Sequence, residues 1–309
     1  MSKSRKKTFS LSRLFQTLFL VLFSLTLALF AQNGDDETIK IDSSLVVLNA
    51  TISDAKNGKV ISGLKEPQFK ILEDGVEQKV DFFAAEETPF AAVILLDTSG
   101  SMEQRVSLAR SATINFLDGL RREDTAAIYN FDSKVSLVQD FSNSRDLPER
   151  VFDLKANGMT VLNDAIFKAA QQLSNRPEKR RAIIVLSDGA DTSSKLSADK
   201  ALKAATAANA TIYTVDMSAP DVGANIRDRM QSQGALKNFA EKTGGVFVAT
   251  PGGAAMREAF KNIVQELGAQ YTLAYQPSNT KKDGKWRAIE LRVARPNLSI
   301  RTRKGYKNN

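Results

Sequence analysis

Two unbroken apolar runs constrain this chain most: Ala91-Ala-Val-Ile-Leu-Leu96 and Ala182-Ile-Ile-Val-Leu186. A strand with one wet face alternates apolar and polar residues. A run without alternation fits a central parallel strand covered on both faces. Between and after these runs the pattern alternates. Helical spacing over 106–120 is followed by β-rich stretches at 125–131 and 135–141, then a helix over 163–173. Beyond the second run come a helix over 198–208, a strand at 211–215, a short helix over 236–242, a strand at 245–249 and a helix over 255–267. Strands alternating with helices of this length predict an α/β fold, a doubly wound and mostly parallel sheet with helices on both faces.

The flanks read differently. Leu45–Ile52, Phe69–Leu72 and 76–83 are short β segments, with Glu73-Asp-Gly75 as a turn. After the last helix, Tyr271–Tyr275, Trp286–Val293 and 298–303 return to β spacing. The expected organisation is a β segment at 41–85, an α/β domain at 90–268 and a β segment at 270–306. The two flanks would pack together as one small antiparallel β domain. Residues 32–40, containing Asn33-Gly-Asp-Asp-Glu37, read as a linker.

Residues 1–31 run from a basic start into Leu18–Ala31, an apolar stretch in the order of a secretory signal. This stretch is short against the roughly 20 residues that span a bilayer. Cleavage after Ala31 would leave Leu29 where a small residue is preferred. Two readings stay open, a removed signal peptide and a retained membrane anchor. Either predicts export to the periplasm, cell envelope or exterior, with membrane contact only through this segment if uncleaved.

Composition narrows the chemistry. There is no cysteine and no histidine. Disulfides, thiolate sites and imidazole bases are excluded, and any metal must rest on oxygen ligands, which suits Mg²⁺, Mn²⁺ or Ca²⁺. The formal charge of +8 says little about partners, because Lys3, Arg5, Lys6, Lys7 and Arg13 fall in the acid-free first 31 residues. No basic stripe with interleaved aromatics remains, so no nucleic-acid partner is expected.

Three segments stand out: Asp97-Thr-Ser-Gly-Ser101 after the first apolar run, Gly158-Met-Thr160 before a helix, and Ser187-Asp-Gly189 after the second run. Ligands of open α/β sheets sit at the carboxyl ends of strands, so two acidic motifs converge on one edge. By itself Asp-x-Ser-x-Ser is common and often starts a helix. With Thr160 and Asp188 in order, it resembles the metal-ion-dependent adhesion site of von Willebrand factor A domains, a resemblance covering about residues 90–268. It implies that Ser99, Ser101 and Thr160 offer hydroxyls while Asp97 and Asp188 supply negative charge, directly or through water. Gly100 and Gly189 would let the backbone turn beside the ion. The implied ion is one divalent cation, Mg²⁺ first and Mn²⁺ or Ca²⁺ otherwise, its shell completed by an Asp or Glu of a protein partner. Asp191 reads as a solvated loop acid. The flanks, including Val60–Leu64, Phe69–Gly75, Gln78–Phe82 and Arg301–Tyr306, resemble the exported "VWFA-related" proteins of acidobacteria.

The expected function is metal-dependent protein binding or adhesion. The alternative is a structural envelope protein in which the ion only stabilises the fold. No enzyme is expected: nothing activates Ser99 as a nucleophile, no phosphate loop accompanies the acids, and Gly244-Gly245 and Gly252-Gly253 read as turns. No catalytic residue and no organic cofactor is assigned. Trp286 reads as a half-buried strand aromatic, and Arg301, Arg303, Lys304 and Lys307 as a solvated sheet edge.

Overall fold

The computed structural model describes residues 45–85, 88–218, 226–249 and 253–308. The expected signal or anchor at 1–31 and linker at 32–40 lie outside the described residues. The described chain opens with β1 (Val46–Asp54), β2 (Phe69–Glu73), β3 (Val76–Gln78) and β4 (Phe82–Ala84). The alternating part follows as β5 (Phe90–Asp97), α1 (Val106–Asp118), β6 (Thr125–Phe131), β7 (Val135–Ser142), α2 (Leu162–Ser174) and β8 (Arg180–Ser187). It continues with α3 (Ala198–Ala207), β9 (Ala210–Asp216), α4 (Ile226–Thr243), β10 (Phe247–Val248) and α5 (Gly253–Ala269). The chain then returns to β structure in β11 (Tyr271–Tyr275), β12 (Trp286–Val293), β13 (Leu298–Arg301) and β14 (Gly305–Lys307).

The central sheet has six strands in the order β10-β9-β8-β5-β6-β7. All neighbours are parallel except β7, which pairs antiparallel with β6 at the edge. All eight residues of β5 are buried, because the period of two sends alternate side chains into two separate cores. Phe90, Ala92, Ile94 and Leu96 meet Phe116 and Leu117 of α1 and Phe260 and Leu267 of α5. Ala91, Val93 and Leu95 meet Leu162, Ile166 and Leu173 of α2, Ala201 of α3, and Leu236 and Phe239 of α4. This is the α/β architecture that the two apolar runs predict, with helices on both faces.

The flanking segments form two four-stranded sheets, β13-β1-β11-β4 and β14-β12-β2-β3. β1 pairs antiparallel with β11, and β2 with β12, so each sheet combines strands from both flanks. Leu48, Ile52, Ile71, Leu273 and Leu291 fill the space between them, with the Phe69 and Tyr271 rings 5.1 Å apart. The stretch 76–83 is not one strand. β3 joins β2 and β4 joins β11, so the chain changes sheets between Gln78 and Phe82. The C-terminal stretch divides likewise, with β13 on β1 and β14 on β12. No described helix is long and apolar enough to cross a membrane.

The β domain is fastened to the amino ends of the central strands. Arg180, the first residue of β8, is fully buried. It donates to Thr272 Oγ1 at 3.3 Å, to Gly268 O at 3.1 Å, and to Ala85 O. Glu266 of α5 accepts from Thr51 Oγ1 at 3.0 Å and Tyr213 OH at 2.7 Å, and pairs with Arg301. Arg301 also donates to Gly244 O, and Arg303 to Thr206 O. The solvated edge expected at these two arginines is therefore corrected: both are bound into the junction. Ser187 ends β8 seven residues beyond Arg180, about 23 Å away at strand rise. That leaves the carboxyl edge of the sheet clear of the β domain.

Candidate metal centre

The three sequence segments come together on that carboxyl edge. Asp97 ends β5 and is fully buried. Its Oδ1 accepts from the Ser99 amide at 2.9 Å, and its Oδ2 from Ser187 Oγ at 2.5 Å, which joins the ends of β5 and β8. Burial dominates the carboxyl group's proton affinity and pushes it up from 3.8 to about 6. The Ser187 and Ser99 hydrogen bonds oppose that rise, and the nearby Asp188 charge adds to it. Among the described residues no lysine or arginine pairs with Asp97.

Ser99 and Ser101 sit on the turn after β5. A single 3-10 turn covers Gly100–Met102, and α1 starts only at Val106. Neither the turn nor α1 has a side-chain cap, so these hydroxyls do not serve as helix caps. They face each other instead, Oγ to Oγ at 3.1 Å. Ser99 is buried and Ser101 exposed.

Thr160 reaches the edge from the loop before α2. The loop is tied to the Asp97 turn twice, by Asn157 N donating to Thr98 O at 2.8 Å and Gly100 N donating to Gly158 O at 3.2 Å. The Thr160 backbone is in turn stitched to the Asp188 loop. Its amide donates to Thr192 Oγ1 at 2.9 Å, and its carbonyl accepts from the amides of Thr192 and Ser193, both at 3.0 Å. Among the described residues the Thr160 hydroxyl has no hydrogen-bond partner. Asp188 follows β8, half-buried, with Oδ1 accepting from the Ala190 amide at 3.1 Å.

The glycines divide unevenly. Gly189 has φ +83°, and a Cβ there would lie 2.4 Å from Ser232 O on α4. Gly158 has φ +77°, with Ser133 Oγ 2.5 Å from a built Cβ. Gly100, expected to ease a tight turn, has no positive φ and room for a Cβ at 3.6 Å from its nearest neighbour. Nothing in the backbone requires glycine at 100.

Several residues that shape the site have no local signature. Ser187 follows an apolar run like any strand end. Asp191, expected as a solvated acid, is exposed but accepts from the amides of Asn163 at 2.8 Å and Ser194 at 3.1 Å, binding the start of α2 to the 190–196 loop. Asp164 accepts from the amides of Lys195 and Leu196 across the same gap. The contacts from the start of α2 to this loop bridge 28 to 32 residues of sequence, which no motif spacing reveals.

The donor set suits a hard cation. Among the described residues no three acidic side chains gather as a ligand group, so an ion here would rest on two carboxylates and neutral hydroxyls. A buried carboxyl with hydroxyl partners and no cationic partner is the observation that fits such an ion: positive charge beside Asp97 would offset what burial costs it.

Residues 92–190 match the family model of the von Willebrand factor type A domain. Two curated relatives align with about a third of the chain. The Synechocystis protein sll0103 is 28% identical over 106 residues, 33% of this chain and 25% of that protein. Bovine inter-alpha-trypsin inhibitor heavy chain H3 is 28% identical over 127 residues, 36% of this chain and 14% of that protein. The chain thus spans a quarter or less of the curated relatives it matches. Similar solved structures include a von Willebrand factor type A protein from Catenulispora acidiphila, with 15% identity, 84% of this chain, 73% of that one and a TM-score of 0.48. Another is the von Willebrand factor domain of the type V pili tip protein Mfa5 from Porphyromonas gingivalis, with 15% identity, 59% of this chain, 95% of that one and a TM-score of 0.47.

Proposed function

We propose that this protein is an exported binding module that captures a protein partner through one divalent cation, Mg²⁺ in the first place. Asp97, Ser99, Ser101, Thr160 and Asp188 would hold the ion, which supplies an electrophilic centre with exchangeable waters. An Asp or Glu of the partner replaces one of those waters, so coordination becomes recognition. The observation that carries this reading is the pairing of a buried, cation-free Asp97 with two serine hydroxyls that cap no helix.

The chain's own residues give the site its precision. Ser187 fixes the Asp97 carboxylate by donating to Oδ2, which leaves the charge oriented at the sheet edge. Thr192 and Ser193 hold the Thr160 backbone against the Asp188 loop, so that hydroxyl and carboxylate donors from distant segments keep one arrangement. Met159, next to Thr160 in the chain, is exposed. Since no base or nucleophile with an activating partner accompanies the donors, the reading is binding and not catalysis.

Export is part of the proposal and rests on residues 1–31, as does kinship with the exported "VWFA-related" proteins on the flanking strands. A pull-down from envelope extract tests the whole reading, run with the mature chain in Mg²⁺, in EDTA, and with Asp97→Ala in Mg²⁺. A partner is expected in the first condition and in neither of the others. A partner kept by EDTA and by the folded variant would transfer the role to a metal-independent surface.

A further inference from the structure

We infer that Arg110 is a positioning residue that clamps the loop carrying Thr160 onto α1. It thereby couples the two halves of the candidate metal centre. Arg110 sits on the second turn of α1, the helix that follows the Ser99–Ser101 turn. Its guanidinium donates to three backbone carbonyls of one loop: Nε to Val151 O at 2.9 Å, and Nη2 to Phe152 O at 2.9 Å and Leu154 O at 2.6 Å. Among the described residues it pairs with no carboxylate, and its hydrogen bonds all go to the carbonyls of this loop.

Three carbonyls from residues 151, 152 and 154 converge because the chain curls there, through a single 3-10 turn at Glu149–Val151. A guanidinium meets such a cluster of negative dipole ends from two nitrogens held in one plane, whereas an ammonium would have to reach all three from a single atom. From Leu154 to Leu162, where α2 begins, the loop has no regular structure. Apart from the one to Arg110, its hydrogen bonds to neighbouring segments are Asn157 on Thr98, Gly158 on Gly100, the Met159 amide on Ser133 Oγ at 3.1 Å, and the Thr160 backbone on Thr192 and Ser193. The buried Val151 and the half-buried Leu154 and Ala156 add apolar contact to the α1 side of the core. Arg110 supplies the directional part. It fixes the loop six residues before Thr160, on the same helix that begins beside Ser99 and Ser101.

The affinity part of this inference rests on the metal reading above, and the loop part does not. The test uses the full chain with Arg110→Met and Arg110→Lys, the second keeping the stem and charge without the fork. Amide hydrogen exchange over residues 149–160 is measured in chelator, together with the thermal midpoint, and Mg²⁺ binding is measured by calorimetry. Exchange at Asn157 is expected to rise by about 10-fold or more in both variants. Mg²⁺ affinity should fall by about 10- to 100-fold, as for other residues that orient metal ligands, with the midpoint little changed. Unchanged exchange in the loop, or faster exchange with unchanged Mg²⁺ affinity, would overturn the inference. If the wild type takes up no Mg²⁺, the metal reading fails by itself and the exchange comparison still decides the clamp. Should Arg110→Met not fold, Arg110→Lys gives the same comparison.

Discussion

In the proposed metal reading, the Asp97 carboxyl group would tie stability to ligand. Burial raises its proton affinity from 3.8 to about 6, so without a cation the folded chain holds a proton that the unfolded chain releases more easily. The sign follows from linkage: stability of the cation-free protein falls as pH rises between about 4 and 6, and the loss is complete above 6. A divalent cation beside the carboxylate removes that loss. Protection by Mg²⁺ in a thermal melt should therefore be large at pH 7.5 and small at pH 5, measured against the same protein in EDTA. Asp97 itself was legible in the sequence because an acid ending a fully apolar strand is conspicuous. Ser187, which orients it, was not, since a serine at a strand end gives no sign of what it faces across the sheet.

At the level of elements, legibility followed the strength of the pattern. β5 and β8 bury every or nearly every residue, and unbroken apolar text announces that directly. α4 was expected only over 236–242 but runs from Ile226 to Thr243. Its first two turns hold Arg227, Asp228, Arg229, Gln231 and Gln233, and its buried residues cluster at Leu236, Phe239, Ala240 and Thr243. Apolar spacing therefore marks only its second half. The sheet switch between β3 and β4 was hidden for the opposite reason: alternation continues through Lys79–Asp81 while the pairing partner changes. The unexpected length of α4 matters to the site, because the backbone of Ser232 packs on Gly189. Gly189→Ala places a Cβ into that contact at a positive φ. It should destabilise the protein by about 2 kcal/mol or more in urea denaturation, with the loss concentrated where α4 meets the Asp188 loop.

For the whole molecule, the arrangement places the β domain and the candidate site at opposite ends of the central strands. The β domain grips the amino ends of the central strands through Arg180, Glu266, Arg301 and Arg303, while the hydroxyls and carboxylates gather at the opposite ends. A chain tethered near its N-terminal flank would thus keep its carboxyl edge open to a partner. The general plan of an α/β domain between two β flanks was readable from periodicity. The polarity of the assembly was not, because it depends on contacts such as Thr51 with Glu266, 215 residues apart.

The central claim is that the carboxyl edge holds one divalent cation, and a calorimetric titration of the cation-free protein with Mg²⁺ tests it most directly, with Asp97→Ala titrated alongside. The account predicts one ion bound per wild-type chain and no measurable binding to the folded variant. Equal binding to both, or none to the wild type, would contradict it.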